Sequence, residues 1–388
     1  MNARIKEGPV ARPENVGFDS ARLKRVGETF AAEIESGMYD GARLLAARHG
    51  ITVVDLTVGF ADRAAARPLP DDAAFCLMSV SKTLTAAALL QRVERGEVSL
   101  LSTVASVIPE FAVRGKERVT LFELLTHSSG IGTGPVELPP ERRGDLAASV
   151  AAICALPLES APGEVRYSTT MGYAILGEVV RRLDGGKRAF RDIMAQDLFE
   201  PLGMKDTAVG LPERLAARRV PVVVRDTGAK DLNAAALTAR DQAYTAQSEM
   251  PSSGMFTTGS DLLRFTESLR LGGALDGMRA LAPATVSLMR RIYTGSLPDL
   301  GFEDAAGYPA NLGLGVYVRG NGIFPSHMPS LASSETFGGR GIGSTGFWVD
   351  PHREMSFVLL TAGLIGRRAN LIRFQRIGDL LMGSLVDP

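Results

Sequence analysis

The chain has 388 residues, of which 45% are apolar and 6% aromatic, the composition of an ordinary soluble protein that buries a large core in two domains or one large one. Lysine plus arginine and aspartate plus glutamate both number 43, and no long run of one charge occurs. This balance argues against nucleic acid or an anionic membrane as a main partner.

Other features limit the compartment and the chemistry. Residues 1–14 form a polar lead-in unlike a signal peptide, and no apolar run approaches the length of a membrane span. The chain has two cysteines, Cys76 and Cys154, which are far apart in the sequence. We expect them to be unpaired thiols in a reducing, cytoplasmic setting. The four histidines show no pair at metal-ligand spacing, so we expect no metal site and no cofactor.

The first predicted elements are a helix and a hairpin. The helix begins at Asp19 and ends near Gly37, with apolar residues at three-and-four spacing along it. Residues 42–48 and 51–58 are β-rich runs on either side of a turn at His49-Gly50, which predicts a hairpin.

The most informative stretch is residues 75–96, where an apolar run leads into a strongly helical segment. Apolar residues there recur at the spacing of one buried helix face, and Gly96 stands where a left-handed helix cap is needed. Ser79 and Lys82 are three positions apart, so they share a face on the first turn. A desolvated amine can take the proton of a serine and make it a nucleophile, whereas the alternative is that Ser79 only caps the helix.

Helices dominate the middle of the chain and strands return after it. The predicted helices of the middle part, interrupted by a loop at 131–143, are 146–155, 170–183, 190–198 and 259–271. The later part has strand patterns at 312–319, 346–350 and 355–360, and then an amphipathic helix at 364–385. This order predicts an α+β fold in which both ends of the chain build one antiparallel sheet, flanked by the terminal helices. The expected sheet domain comprises residues 15–78 and 300–388, and the inserted, mainly helical domain comprises 79–299.

Two more motifs follow the Ser79-Val80-Ser81-Lys82 segment. In the second, residues 162–169, Tyr167 lies in a turn after Pro-Gly and before a helix. The third, residues 337–351, is rich in glycine and includes the strand-like residues 347–349. Its Gly341–Gly346 part also matches a dinucleotide fingerprint, which we discount because no helix follows to receive a pyrophosphate.

The identity and order of these motifs resemble the serine β-lactamase and penicillin-binding-protein superfamily over roughly residues 15–385. The nearest branch is the class C-like group of esterases, D-amino-acid peptidases and acyltransferases. The resemblance implies a β-lactamase/transpeptidase-like fold with Ser79 as nucleophile, Lys82 as its base and Tyr167 as proton shuttle. It also implies an oxyanion hole from the backbone N–H groups of Ser79 and Ile342. The expected substrate-binding residues are Thr169, Gly339, Arg340, Gly341 and Gly343.

Acyl transfer needs a nucleophile, a base and oxyanion donors, which these motifs supply. We expect the lysine to lower the pKa of Tyr167, so that the two groups share one proton. Glycines around Ile342 would let substrate approach the strand closely. His127 is expected to fix a turn and Tyr173 to pack, while Arg340 either touches substrate or is merely solvated.

Departures from the family pattern narrow the substrate. No lysine follows Lys230, so the cation that penicillin-type members use for the antibiotic's carboxylate is missing, and Arg340 is an imperfect substitute. Thr169 stands where the family usually has asparagine. Both departures favour an ester, a thioester or a nonstandard amide over efficient β-lactam hydrolysis.

The sequence therefore predicts a serine hydrolase that forms an acyl-enzyme at Ser79, a carboxylesterase acting on a small ester. Alternatives with the same site are a biosynthetic acyltransferase and a D-amino-acid amidase or weak β-lactamase. An alternative of another class is a ligand-binding or sensor protein that acylates once or not at all. In each case the expected partner is a small molecule.

Overall fold

Strands occur near both ends of the described chain, as expected. The computed structural model describes residues 6–7, 11–302, 305 and 307–387, so most of the expected lead-in at 1–14 lies outside the described residues. The strands are β1 (Lys6–Glu7), β2 (Gly41–Arg48), β3 (Ile51–Asp62), β4 (Arg67–Pro68), β5 (Phe75–Cys76), β6 (Ala208–Val209), β7 (Met255–Thr257), β8 (Ala274–Leu275), β9 (Met278–Arg279), β10 (Tyr317–Val318), β11 (Phe337–Arg340), β12 (Thr345–Asp350) and β13 (Met355–Ala362).

Helices fill the sequence between the two groups of long strands and flank them. In chain order they are α1 (Ser20–Glu35), α2 (Ser81–Glu94), α3 (Leu121–Leu125), α4 (Leu146–Ala155), α5 (Met171–Leu183), α6 (Phe190–Met194), α7 (Glu213–Ala216), α8 (Ala234–Gln242), α9 (Gly259–Arg270), α10 (Pro283–Met289) and α11 (Arg367–Met382). Within the described residues, no helix is both long enough and apolar enough to cross a bilayer.

The main sheet is antiparallel and joins the two ends of the chain. Its path runs β1-β3-β2-β13-β12-β11-β10, with β4 paired to β3. The N-terminal hairpin meets the C-terminal strands where β2 pairs with β13, in a register that sets Leu44 opposite Leu359. The predicted α+β fold and its sheet are thereby confirmed.

Both faces of the sheet are covered, because successive side chains of a strand point to opposite sides. Leu44 packs on one side with Phe30 of α1 and Phe374 of α11. Leu45 packs on the other side in a larger core that contains α2, α5 and α9. Consequently β2 and β13 are buried at every position.

Helix α2 lies inside the molecule. The sequence predicts one buried face, but every residue from Ser81 to Arg92 is buried. The difference arises because α2 packs against α5 on one side and against the turn around Gly315 on another. This turn lies so close to α2 that a Cβ on Gly315 would collide with Ala86. Gly96 has the predicted left-handed conformation, with φ of 71°.

Two parts of the fold differ from expectation. The structure contains only β10 within the strand predicted at 312–319. The residues before β10 form a tight turn instead, in which the N–H of Gly313 donates to the carbonyl of Val316 and Gly315 has a φ of 74°. The three-stranded sheet β5-β7-β6 was not predicted, since its strands are only two or three residues long. The expected division into two domains stays a prediction.

Candidate active site

Ser79 lies in a tight turn, residues 78–80, immediately before α2. The preceding residue, Met78, has a left-handed φ of 49°, a conformation that costs a non-glycine residue about 1–3 kcal/mol. Backbone bonds hold the turn: Leu77 donates to the carbonyl of Met255 and accepts from the hydroxyl of Thr345, both at 2.8 Å. Val80 is the N-cap of α2 and no side chain caps it, so Ser79 does not serve as a helix cap.

Lys82 reaches Ser79 from the first turn of α2 and is 4% exposed. Its Nζ lies 3.1 Å from Oγ of Ser79 and donates to the backbone carbonyls of Thr169 at 2.7 Å and Ser252 at 3.2 Å. Burial lowers the pKa of Lys82 well below its ordinary value, and the charge of Arg240 lowers it further. A neutral amine can bond both carbonyls through its two hydrogens and direct its lone pair to the serine hydroxyl.

Tyr167 completes the predicted set, because the structure places it in the same cavity wall as Ser79. The Nζ of Lys82 lies 4.9 Å from the centroid of its ring. Burial raises the pKa of Tyr167 well above its ordinary value, the neighbouring Tyr317 adds to this, and a hydrogen bond with Ser79 opposes it. The expected lowering of the Tyr167 pKa was therefore wrong, since burial is the largest influence on it. Burial thus favours the uncharged form of both groups.

The ring of Tyr167 is held from several sides. It packs against His127, at 4.4 Å between centroids, and against Phe302, at 5.5 Å, with the rings tilted by 32° and 35°. The backbone N–H of Tyr167 donates to Asp299 Oδ1 at 3.0 Å, and the next N–H, of Ser168, donates to His127 Nδ1 at 3.1 Å. Burial lowers the pKa of His127 to about 3, so this histidine is neutral. It fixes the turn, as expected.

The third motif brings the edge of the sheet against the serine turn. A Cβ on Gly341 would lie 2.6 Å from the carbonyl oxygen of Leu77 and 2.8 Å from Cβ of Met78. The absence of a side chain therefore admits the serine turn, whereas the sequence suggested substrate as the close neighbour. Ile342 and Gly343, the latter at φ of 64°, follow and line the cavity with Ser79.

The other predicted binding residues lie around the same space. Gly339 borders a small space beside Ser79 and Lys82. Thr169 lines the main cavity, but its hydroxyl donates to the carbonyl of Thr133 at 2.8 Å while its own carbonyl accepts from Lys82. Arg340 is half-buried, with its guanidinium carbon 4.6 Å from the centroid of the Tyr317 ring. It is therefore packed at the site and not simply solvated.

Sequence reasoning missed several residues of the site. Arg240 of α8 and Tyr317 of β10 line the cavity with Ser79, and Asp299 anchors the backbone of Tyr167. Arg240 and Asp299 belong to segments without a recognisable motif, and only the fold brings them near the serine. Tyr317 lies in the predicted strand 312–319, and a polar aromatic residue in a glycine-rich stretch is the one signal that could have indicated it.

The cavity beside Ser79 has a volume of about 240 Å³ and a mainly apolar lining. It adjoins a trough of about 600 Å³ along α8, and Ile342, Leu237 and Arg240 border both spaces. No group of three or more histidine, cysteine or acidic side chains suited to a metal ion occurs in the part of the chain that the structure describes. The arrangement can therefore support nucleophilic attack by Ser79 on a small electrophile in the cavity.

Comparisons with known proteins agree with this geometry. The family model described as Beta-lactamase matches residues 27–380. Penicillin-binding protein 4 of Amycolatopsis lactamdurans is 33% identical over 254 residues, which span 64% of this chain and only 64% of that relative. Esterase EstB of Burkholderia gladioli is 32% identical over 290 residues, or 66% of this chain and 73% of the esterase. The structure of a penicillin-binding-protein homologue from Caulobacter crescentus aligns with a TM-score of 0.78 at 26% identity, covering 98% of this chain and 100% of that one.

Proposed function

The chain belongs to the beta-lactamase family, and from that premise we propose that it is a serine hydrolase of the carboxylesterase type, acting on a small ester. The observation that carries the proposal is the arrangement of three groups. The hydroxyl of Ser79 meets a buried amine whose other contacts are two backbone carbonyls, and the phenol of Tyr167 stands beside both. A neutral amine next to an alcohol is a general base in position to make a nucleophile.

In acylation Ser79 is the nucleophile, and Lys82 and Tyr167 transfer protons. The Oγ of Ser79 attacks the ester carbonyl carbon while its proton passes to Nζ of Lys82. The negative charge that develops on the carbonyl oxygen is stabilised by the backbone N–H groups of Ser79 and Ile342. As the tetrahedral intermediate collapses, the departing alcohol oxygen takes the proton of the Tyr167 hydroxyl, and Lys82 returns its proton to Tyr167. The alcohol leaves and the acyl group stays on Ser79.

Deacylation reverses the proton path with water in place of the alcohol. Water attacks the acyl carbonyl while its proton passes through the Tyr167 hydroxyl to Lys82. The carbon–Oγ bond then breaks, and the proton on Lys82 returns to Ser79. The high pKa of Tyr167 suits this relay, because a phenol that stays protonated can donate and accept within one step.

Two observations support an ester over a β-lactam or a D-amino-acid amide. The third motif offers Arg340 where penicillin-type members have lysine, and this arginine packs on Tyr317. The side chain of Thr169 is engaged by the carbonyl of Thr133 and so is a poor anchor for an amide group. A cytoplasmic location is also part of this proposal, supported by the two buried cysteines without a disulfide.

The direct test is covalent labelling of Ser79 by a fluorophosphonate, followed by intact-mass and peptide mass spectrometry. We expect one adduct on Ser79, none in Ser79→Ala, and turnover of a chromogenic ester that is lost with the label. Ser253→Ala is the matched control, because this serine lines the same cavity and should leave labelling intact. Esterase activity that survives in Ser79→Ala would overturn the proposal. A single stoichiometric burst would instead indicate the sensor alternative.

Acyl transfer is the second candidate, favoured by the trough that adjoins the cavity and offers room for an acceptor. An added alcohol or amine should then capture the acyl group in competition with water. Product analysis at increasing acceptor concentration separates the two: a rising share of transfer product supports a transferase, and exclusive release of acid supports a hydrolase.

A further inference from the structure

Arg240 brings an unpaired positive charge into the cavity of the serine. It lies on α8, and its side chain borders both the 240 Å³ cavity that contains Ser79 and the adjoining trough. Its one hydrogen bond to the described residues runs from Nη2 to the thioether sulfur of Met78, at 3.0 Å. Its Nε is buried without a hydrogen-bond partner. No carboxylate of the described residues lies within ion-pair distance of its guanidinium.

Two arginines that precede α8 in the sequence are paired with carboxylates. Arg219 forms an ion pair with Asp241, the residue next to Arg240, and Arg225 forms one with Asp40 at 2.6 Å. A guanidinium that loses water without gaining an acceptor is unfavourable, because a thioether is a weak acceptor for a charged donor. Arg240 is half-buried and lines the cavity, so an anion bound there can supply the missing acceptor.

Other groups of the cavity do not supply this anion. Asp231 lines the same wall, but its Oδ2 accepts from the backbone N–H of Arg367 at 2.7 Å and forms no ion pair with Arg240. Arg340 and Arg367 are the other arginines of the cavity. The guanidinium of Arg340 packs over the ring of Tyr317 and that of Arg367 over the ring of Phe302. Arg240 alone combines a place at the passage between cavity and trough with a lack of any described acidic partner.

We propose that the substrate ester carries a carboxylate group that binds Arg240. The inference rests on the proposed function and adds the chemical class of substrate. A carboxylate matches the planar donors of a guanidinium and can accept from two of them. The charge can belong to the acyl half or to the alcohol half of the ester, and the experiment below separates these sources.

The test compares esters that differ only in charge. For the acyl half, the mono-p-nitrophenyl ester of hexanedioic acid is compared with the same ester of its ω-amide. For the alcohol half, the acetate of 4-hydroxybenzoate is compared with that of 4-hydroxybenzamide. In the wild type we expect kcat/KM to favour the acid in one of the pairs by about 10- to 100-fold, as for a hydrogen-bonded charge.

Variants of Arg240 show whether this residue causes the preference. Arg240→Gln should reduce the acid-to-amide ratio to about one, and Arg240→Lys should retain part of it. Arg25→Gln, which removes the same charge from an exposed position on α1, should leave the ratio unchanged. Using a ratio cancels any general effect of Arg240 on Lys82. A wild type without preference in either pair, or an Arg240→Gln variant that keeps it, overturns the proposal.

A binding measurement keeps the result separate from that of the proposed function. Free hexanedioate and 4-hydroxybenzoate should raise the melting temperature of the wild type more than their amides do, and Arg240→Gln should lose this difference. This arm needs no turnover. If no ester is hydrolysed and Ser79 is not labelled, the proposed function fails, while equal stabilisation by acids and amides refutes the anion site itself.

Discussion

Burial of the Lys82 side chain lowers its pKa and so changes the chemistry available at the site. Its amine is 4% exposed and its contacts are uncharged, so desolvation favours the neutral form. In water the same side chain would carry a proton at neutral pH and could not accept one from Ser79. In the proposed mechanism the base is thus obtained from the position of the residue, without a carboxylate partner in the described part of the chain.

The first prediction concerns the pH dependence of this base. Because its pKa is lowered, Lys82 gives up its proton at a lower pH than an ordinary lysine and becomes protonated as the pH falls through the lowered value, so kcat/KM for a neutral ester should decline on the acid side. Arg240→Gln removes a repelling charge, raises the pKa of Lys82 and should move this acid limb to higher pH. A pH–rate profile of both proteins measures the shift. An unmoved limb would show that another group controls it, and Lys82→Arg should be inactive at all pH values.

The sequence predicts the residues that stand in local motifs, but not those that only the fold brings into the site. Ser79, Lys82 and Tyr167 stand in local motifs, and the structure brings them together as the motifs predict. The direction of the Tyr167 pKa could not be predicted, because it depends on how deeply both side chains are buried. Arg240 was missed for a similar reason, since an arginine on a short helix carries no signal until its neighbours are known.

At the scale of elements, the turn that follows β11 passes directly over the serine turn. Gly341 permits this, and the Thr345 hydroxyl ties the following strand to Leu77. The sheet edge and the helix that carries Lys82 are thereby held in one geometry. A displacement of less than 1 Å in such a site is expected to reduce activity strongly.

Gly341→Ala is accordingly the second prediction. The added methyl would contact the Leu77 carbonyl at 2.6 Å, so the turn must move and kcat should fall by about 100-fold, while the fold is largely kept. Steady-state kinetics and circular dichroism measure the two effects. Gly228→Ala is the control, because its nearest neighbour would be 3.8 Å away and its activity should be close to that of the wild type. Normal activity in Gly341→Ala would contradict the close approach described above.

Long elements were predictable and short ones were not. β2, β12, β13 and α4 show sustained patterns, and the structure contains them close to the expected bounds. A two-residue strand such as β5 forms only because β7 pairs with it. Its sequence is too short to show the alternation of apolar and polar residues that predicts a strand. Residues 312–316 resemble a strand in composition, but their glycines allow a tight turn to form instead.

At the scale of the whole molecule, one core connects the sheet to the helices. The largest cluster includes Phe347 and Val358 of the sheet together with Leu84 of α2 and Ile175 of α5. Helix α9, which falls in the range expected for the helical domain, packs against β13 and β12. A shared core of this kind couples the stability of the two expected domains.

The third prediction is therefore a single unfolding transition. Trp348 is the one tryptophan of the chain, buried in β12 and stacked on Phe357 at 4.8 Å, so its fluorescence reports on the sheet. Circular dichroism at 222 nm reports mainly on the helices. In urea both signals should change at the same midpoint, as expected of one cooperative unit. Two separated midpoints would instead support domains that fold independently.

The pairing of β2 with β13 has a consequence for biosynthesis. Arg48 and Met355 are direct partners in this ladder although most of the chain lies between them. At a translation rate of 5–20 residues per second, roughly 15–60 s pass between the synthesis of the two strands. Throughout that interval the nascent hairpin presents an apolar, unpaired edge, which is a template for aggregation. The growing polypeptide is thus expected to depend on chaperones at the ribosome until its closing strand emerges.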